Sequence, residues 1–457
     1  MSSLKNLAIR GTIWTIANYG LTQVLRFAGN IILTRLLVPE MFGLMALVNV
    51  FIMGLELFSD VGIGPSIIRH PRGDEPDFVN TAWTIQVVRG FGLWLFCIFL
   101  AWPFANFYGE EKLLWLIPLV GLTSVIAAFN STALFTLNRK IALGKLTIFQ
   151  ITVQVVQLTI TIIWAWFSPT IWALVVGVLV SSCMKMVWSH WLVEGTRNRF
   201  AWDLEALKEL FSFGRWIFVS TAMSFLASQA DKLLLGKLFL VKVLGVYTIA
   251  STLGDLPKNV VTAVSQKVMF PVVSRYADLP RQTLRAKILK KRGLMLAGAT
   301  VLLTMLVCFG DVLILKLYDD RYVQAAWMLP ILALGIWPRV LFQAINPALL
   351  AIGKPLYGAV GNFLKFLYMV ICLPLAYLMI ETEEMKLLAA IIIVAFNDLP
   401  NYGAVAYGMW RERLSMIGQD LQMSLLLIAL IIIILGARYF LGFGLPTTIN
   451  YQLLTNA

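Results

Sequence analysis

The chain has 457 residues, 59% hydrophobic and 13% charged, about half the charged share of a soluble domain. A span needs about 20 apolar residues, and such runs recur from Gly11 to Phe443, so the numbers leave an all-α polytopic membrane protein with membrane lipids as its main surroundings. The net charge of +13 would fit a nucleic-acid binder in a soluble chain, but here Lys and Arg sort into short loops that orient the chain and face anionic headgroups, and no nucleic-acid partner is expected.

Breaks at charges, Pro and Gly predict about thirteen transmembrane helices, near 12–35, 42–66, 79–107, 113–137, 146–167, 170–192, 212–236, 243–270, 293–316, 323–351, 356–380, 387–410 and 421–442. The polar segment Met1 to Arg10 precedes a first span too long for a signal peptide and lacking a small-residue cleavage site, so it is expected to remain as an anchor. Between the sixth and seventh spans, WDLEALKELF places Leu204, Leu207 and Phe211 on one face and predicts a short helix on the cytoplasmic interface. The loop from Arg275 to Arg292 carries seven basic residues and one acid, whereas the EEK and ETEEMK loops are acidic. That asymmetry predicts a cytoplasmic N-terminus. No loop is long enough to hold the external domain of a membrane polymerase or ligase, so transport is expected rather than catalysis.

An internal repeat sets ILTRLLVPEMFGL (Ile32 to Leu44) over LLGKLFLVKVLGV (Leu234 to Val246), pairing Arg35 with Lys237 and Gly43 with Gly245, and in the same register Trp14 falls on Trp216. Repeats in transporters mark two halves around a site. The predicted organisation is two six-helix lobes in parallel repeat, 1–193 and 212–411, joined by a linker at 194–211 and followed by an extra C-terminal helix and tail at 412–457.

Ionisable residues inside spans are costly and normally face water or a partner. Arg215, Asp311 and Lys232 lie near enough to a helix end to snorkel, and Asp255 and Lys258 are spaced to pair on one helix. Arg26 and Arg89 have no acid one turn away, while Arg339 and Lys365 sit among Gln343, Asn346 and Asn362. With Lys258, these four are the candidates for a cationic cavity, because guanidinium and ammonium groups suit a phosphate-bearing substrate. Asp231 in SQADKLLLG, Asp398 in FNDLPN, Asp255, Glu56 and Asp60 are candidates for a coupling ion, proton or sodium. Gln150, Gln154 and Gln157 form a polar stripe suited either to sugar hydroxyls or to a neighbouring helix. The four cysteines and two histidines show no metal spacing, and no cofactor is expected beyond an ion gradient.

Phe213 to Ala250, followed by QKVMFPVVSRY (Gln266 to Tyr276), and the N-terminal stretch GTIWTIANYGLTQVLRFAGNIILTRLLVPEMFGLMAL resemble the oligosaccharide flippase, or polysaccharide transporter, family. The resemblance implies the fold of the multidrug, oligosaccharide-lipid and polysaccharide exporter superfamily: two six-helix lobes in a V that opens alternately inward and outward. It further implies an undecaprenyl-diphosphate-linked oligosaccharide as substrate, bound on basic residues and moved at the expense of a proton or sodium gradient. Polysaccharide polymerase and chain-length machinery are the partners such a flippase would serve. The alternative within the same fold is a multidrug extrusion antiporter.

Overall fold

The computed structural model describes residues 2–60, 62–140, 142–193, 198–276 and 279–446. Linker residues 194–197, the side chains of Arg215 and Trp216, and the tail from residue 447 onward lie outside the described residues. Every regular element described is helical, and the helices fall into two compact units, Met1–Phe225 and Leu226–Ala457.

In the first unit, α1 (Ser2–Leu36), α2 (Pro39–Phe58), α3 (Ile63–Arg69), α4 (Pro76–Tyr108), α5 (Leu113–Ala128), α6 (Ala133–Arg139), α7 (Leu143–Phe167) and α8 (Trp172–Ser189) lead into α9 (Leu204–Leu238). Proline sets several of these starts. Val38 and Glu75 are extended, as a residue before proline prefers, and Pro39 and Pro76 occupy the first helical positions, where a missing N–H costs nothing. Glu40 and Asp77 then place negative charge in the first turn, against the helix dipole. At the far end of α4, Gly109 adopts the left-handed conformation (φ 70°) that closes a helix without steric cost.

The second unit contains α10 (Val241–Gly254), α11 (Leu256–Val264), a π-helical turn (Ser265–Met269), α12 (Phe270–Arg275), α13 (Arg281–Leu317), α14 (Ala325–Gly335), α15 (Trp337–Ala351), α16 (Leu356–Met379), α17 (Glu383–Ala395), α18 (Leu399–Arg411) and α19 (Ile417–Phe440). Both units pair their helices in one order: α2, α4 and α8 pack on α5 in the first, and α10, α13 and α17 pack on α14 in the second. The sequence repeat recurs in the element ends, where Leu36 closes α1 as Leu238 closes α9, and Pro39 opens α2 as Val241 opens α10. Cores are local to each unit. Leu33, Leu37, Ala165 and Ala173 join α1, α7 and α8, while Leu296, Leu303, Val340, Leu341 and Leu427 join α13, α15 and α19.

Among the described residues, nine helices are long and apolar enough to cross a membrane, ten if α5 and α6, bent by 61° at their junction, form one span. The expected count of about thirteen therefore stands unconfirmed. Its other three spans fall on α1 and α9, whose side chains are described in part, and on α10 to α12, which breaks into short pieces. Two local expectations are corrected. The short interface helix expected within the linker 194–211 is the beginning of α9, which continues without interruption to Leu238, because a lone Gly214 does not outweigh the helix formers around it. The basic loop expected from Arg275 to Arg292 is helical from Arg281, since the Leu284 and Ile288 side chains bury against Phe342, Val405 and Met409 and repay the ordering of those turns.

Candidate functional site

Three helix breaks in the second unit converge on one polar cavity of about 220 Å³. Asp255 is the residue between α10 and α11, Asp398 precedes α18, and Ile336 separates α14 from α15. In each case a proline, Pro257, Pro400 or Pro338, opens the following helix. Proline forbids the hydrogen bond that would continue the preceding helix, so the chain turns, and at two of the three steps it presents an aspartate, Asp255 or Asp398. The tripeptide Asp-Leu-Pro occurs at both aspartates, 255–257 and 398–400, but also at 278–280, outside the cavity, so it signals a helix start rather than the site.

At the centre, Asp398 accepts from Arg339 Nη1 at 2.8 Å and from Lys365 Nζ at 3.0 Å, and the Asp398 and Lys365 side chains are about nine-tenths buried. Arg339 reaches Asp398 from the first turn of α15, with its guanidinium 5.6 Å above the Phe342 ring. One carboxylate thus shares two cations. Beside this cluster, Lys258 pairs with Asp255 at 2.5 Å, Tyr247 donates a short hydrogen bond to Asp231 Oδ2, and Lys232 Nζ donates to Gln229 at 3.2 Å. The other oxygen of Asp231 is buried and has no partner in the structure. Four basic side chains against three acidic ones line the cavity, so its formal balance is positive. Asn401, buried next to Asp398, accepts no hydrogen bond at its Oδ1 and donates to Asn362 at 3.1 Å.

The first unit has its own polar cavity, about 540 Å³, lined by Glu56, Asp60, Arg89, Lys185, Gln86 and Asn130 among others. Arg89 there closes the end of α2: Nε donates to Ser59 Oγ at 2.9 Å and Nη2 to the Glu56 carbonyl at 2.6 Å, satisfying helix-terminal acceptors. The Glu56 carboxylate accepts from Ser124 Oγ at 3.4 Å, and Asp60 accepts from the Gly62 N–H at 2.9 Å. Arg26, on α1, is exposed and lines neither cavity.

The structure therefore brings Arg339, Lys365, Lys258, Asp231, Asp255 and Asp398 into one site, groups Arg89, Glu56 and Asp60 in a second, and leaves Arg26 apart from both. The glutamine stripe meets α1, where Gln150 accepts from Asn18 at 2.7 Å and Gln154 donates to the Thr22 carbonyl at 3.2 Å, so these two glutamines serve helix packing. Asp311 does not snorkel. It is buried and held by Arg438 through two hydrogen bonds of 2.8 and 2.7 Å. A second buried pair, Arg292 with Asp420, is supported by Tyr402 Oη on Asp420 at 2.8 Å and by Gln419 Oε1, which accepts from Arg292 at 3.1 Å. Neither partnership has a local spacing signal, because the partners stand 127 and 128 positions apart.

The model of the family described as polysaccharide biosynthesis protein matches residues 32–326 of the chain, well over half of it. The chain belongs to this family. Among similar proteins, the teichuronic acid biosynthesis protein TuaB of Bacillus subtilis is 22% identical over 65% of this chain and 62% of its own length. The succinoglycan biosynthesis transport protein ExoT of Rhizobium meliloti is 21% identical over 71% of this chain and 65% of its own, and the lipopolysaccharide biosynthesis protein WzxC of Escherichia coli is 21% identical over 60% and 56%. The matches thus span under two thirds of these relatives. Among solved structures, the lipid II flippase MurJ superposes with a TM-score of 0.69 at 12% identity over 92% of both chains. A multidrug resistance MATE family transporter gives 0.61 at 12% identity over 91% of this chain and 98% of its own. This family member accordingly has the fold shared by those transporters and is a multi-pass membrane protein.

Proposed function

We propose that this protein is a flippase that moves an undecaprenyl-diphosphate-linked oligosaccharide across the bacterial inner membrane for surface polysaccharide synthesis. The observation that carries the reading is the buried Arg339–Asp398–Lys365 cluster in a cavity with more basic than acidic side chains. A guanidinium and an ammonium fixed on one carboxylate are already desolvated and oriented, so a phosphate group can exchange with that carboxylate at modest reorganisation cost. Family membership and relatives named for teichuronic acid, succinoglycan and lipopolysaccharide support the substrate class.

Coupling to a proton or sodium gradient belongs to the same proposal, with Asp231 as the first candidate because one of its buried oxygens lacks a partner. The N-terminus is taken as cytoplasmic from the distribution of basic residues, and polymerase and chain-length machinery would act on the delivered product. The chain's own part is transport, with no chemical step on the saccharide. A multidrug extruder of the same fold would have to admit cations to a site whose formal balance is positive, which electrostatics disfavours.

The test is deletion of the gene followed by assay of which leaflet holds the accumulated lipid-linked oligosaccharide, using spheroplasts and a membrane-impermeant glycosidase. Accumulation on the inner leaflet with loss of surface polysaccharide, rescued by the wild-type chain but not by Arg339→Ala/Lys365→Ala at equal membrane abundance, is the expected result. Unchanged polysaccharide with new sensitivity to cationic drugs would overturn it in favour of the extruder.

A further inference from the structure

An apolar cavity of about 1040 Å³ lies between α11 and α13 in the second unit, away from the polar site. Its shape follows from two defects in the helix opposite α13. Pro257 restarts the helix after the break at Asp255, and the π-helical turn at Ser265–Met269 widens it, a distortion that recurs at functional positions. On α13, Lys290, Leu294, Gly298 and Val301 follow one another at four, four and three residues and so share one face. Gly298 forms the floor: a Cβ built there meets nothing within 4 Å. Leu294, Val301, Val260 and Val264 are exposed along the walls.

The polar end is defined by charge. Most basic residues described at this end of α13 are engaged: Arg281 approaches Glu412 at 3.7 Å, Arg285 donates to the Ser415 carbonyl at 2.6 Å, Lys287 lies 3.6 Å from the centre of the Tyr276 ring, and Arg292 is paired with Asp420. Lys290 and Lys291 are exposed, line the cavity and form no salt bridge among the described residues. From Lys290 to Leu302 the helix rises about 18 Å, close to the roughly 15 Å depth of one leaflet of the hydrocarbon core.

We propose that this groove is a binding site for an anionic phospholipid, with its phosphate held by Lys290 and Lys291 and an acyl chain lying along Gly298. The length matches a lipid drawn from the leaflet on the Arg281 side of the membrane. The two ammonium groups select a headgroup with net negative charge over a zwitterionic one.

Thermal unfolding of the purified full chain in detergent, titrated with dioleoyl-phosphatidylglycerol or dioleoyl-phosphatidylcholine, tests this. Phosphatidylglycerol should raise Tm saturably and phosphatidylcholine should not. Lys290→Gln/Lys291→Gln should weaken the apparent phosphatidylglycerol affinity by about tenfold or more, and Gly298→Trp, which fills the floor, should abolish the shift. Lys140→Glu, an exposed charge reversal in the first unit, should leave it intact. The assignment is overturned if Lys140→Glu weakens the response as much as the double variant, or if Gly298→Trp retains the full shift. It is overturned in favour of the isoprenoid carrier if undecaprenyl phosphate acts at lower concentration with the same dependence on these residues. Should Gly298→Trp fail to fold, Gly298→Leu carries the same expectation.

Discussion

Asp398 is the residue on which the charge of the polar cavity turns, since it faces both Arg339 and Lys365. Removing one member of a buried ionic group strands the others, at a cost of roughly 3–5 kcal/mol, whereas replacing the whole group with apolar residues is often neutral. Asp398→Ala should therefore lower unfolding stability by about that amount, while the combined Asp398→Leu/Arg339→Leu/Lys365→Met variant recovers most of it and still fails to export polysaccharide. Chemical denaturation in detergent, run beside the export assay, separates the two effects. These residues could be nominated from the sequence because each is an ionisable group in an apolar run. Their partners could not: Arg339 and Asp398 are 59 positions apart and meet only through the helix breaks. Arg72 shows the same limit outside the spans. Hydrogen bonds to Glu75 and Asp203 raise its guanidinium pKa above the ordinary value, and its contact with Asp203 crosses 131 positions.

At the scale of elements, two helical glycines, one in each unit, stand where an added Cβ would come within 3 Å of another helix's backbone. A Cβ on Gly90 of α4 would lie 2.3 Å from the Ala128 Cβ and 2.8 Å from the Ser124 carbonyl oxygen; one on Gly335 of α14 would lie 2.4 Å from the Ala395 backbone. Backbone cannot withdraw as a flexible side chain can, so Gly90→Val and Gly335→Val should each cost about 1–3 kcal/mol or more. Fluorescence-detected size exclusion should report a smaller monodisperse peak for both. The breaks themselves were partly legible. Pro39, Pro76, Pro257 and Pro400 announce helix starts by chemistry alone, but Pro103, Pro118, Pro330, Pro347 and Pro374 sit inside helices that continue through them. Neighbouring helices decide between those outcomes, and a single sequence does not display its neighbours.

For the molecule as a whole, class and repeat were readable because they rest on composition and on the register that lays Ile32 to Leu44 over Leu234 to Val246, both properties of the chain itself. The extra helix α19 was readable as a span but not as a structural member. It holds Asp420 against Arg292 and Arg438 against Asp311, all four at most 5% exposed. Ending the chain after Arg411 should strand Arg292 and Asp311 and prevent stable accumulation in the membrane. Arg438→Leu alone should reproduce much of the loss, while Arg438→Leu/Asp311→Leu restores abundance, as immunoblots of membrane fractions would report.

The order of charges along these two helices carries a further consequence. Along α13 the cation, Arg292, precedes the acid, Asp311; along α19 the acid, Asp420, precedes the cation, Arg438. Each separation is about 28 Å of helix, nearly the thickness of the hydrocarbon layer. Only a parallel arrangement lets opposite signs meet at both rims. Were α19 inserted upside down, acid would face acid at one membrane surface and arginine would face arginine at the other. A slip of one turn would break both pairs at once. The two ion pairs thus act as a key, fixing α19 against α13 in one direction and one register.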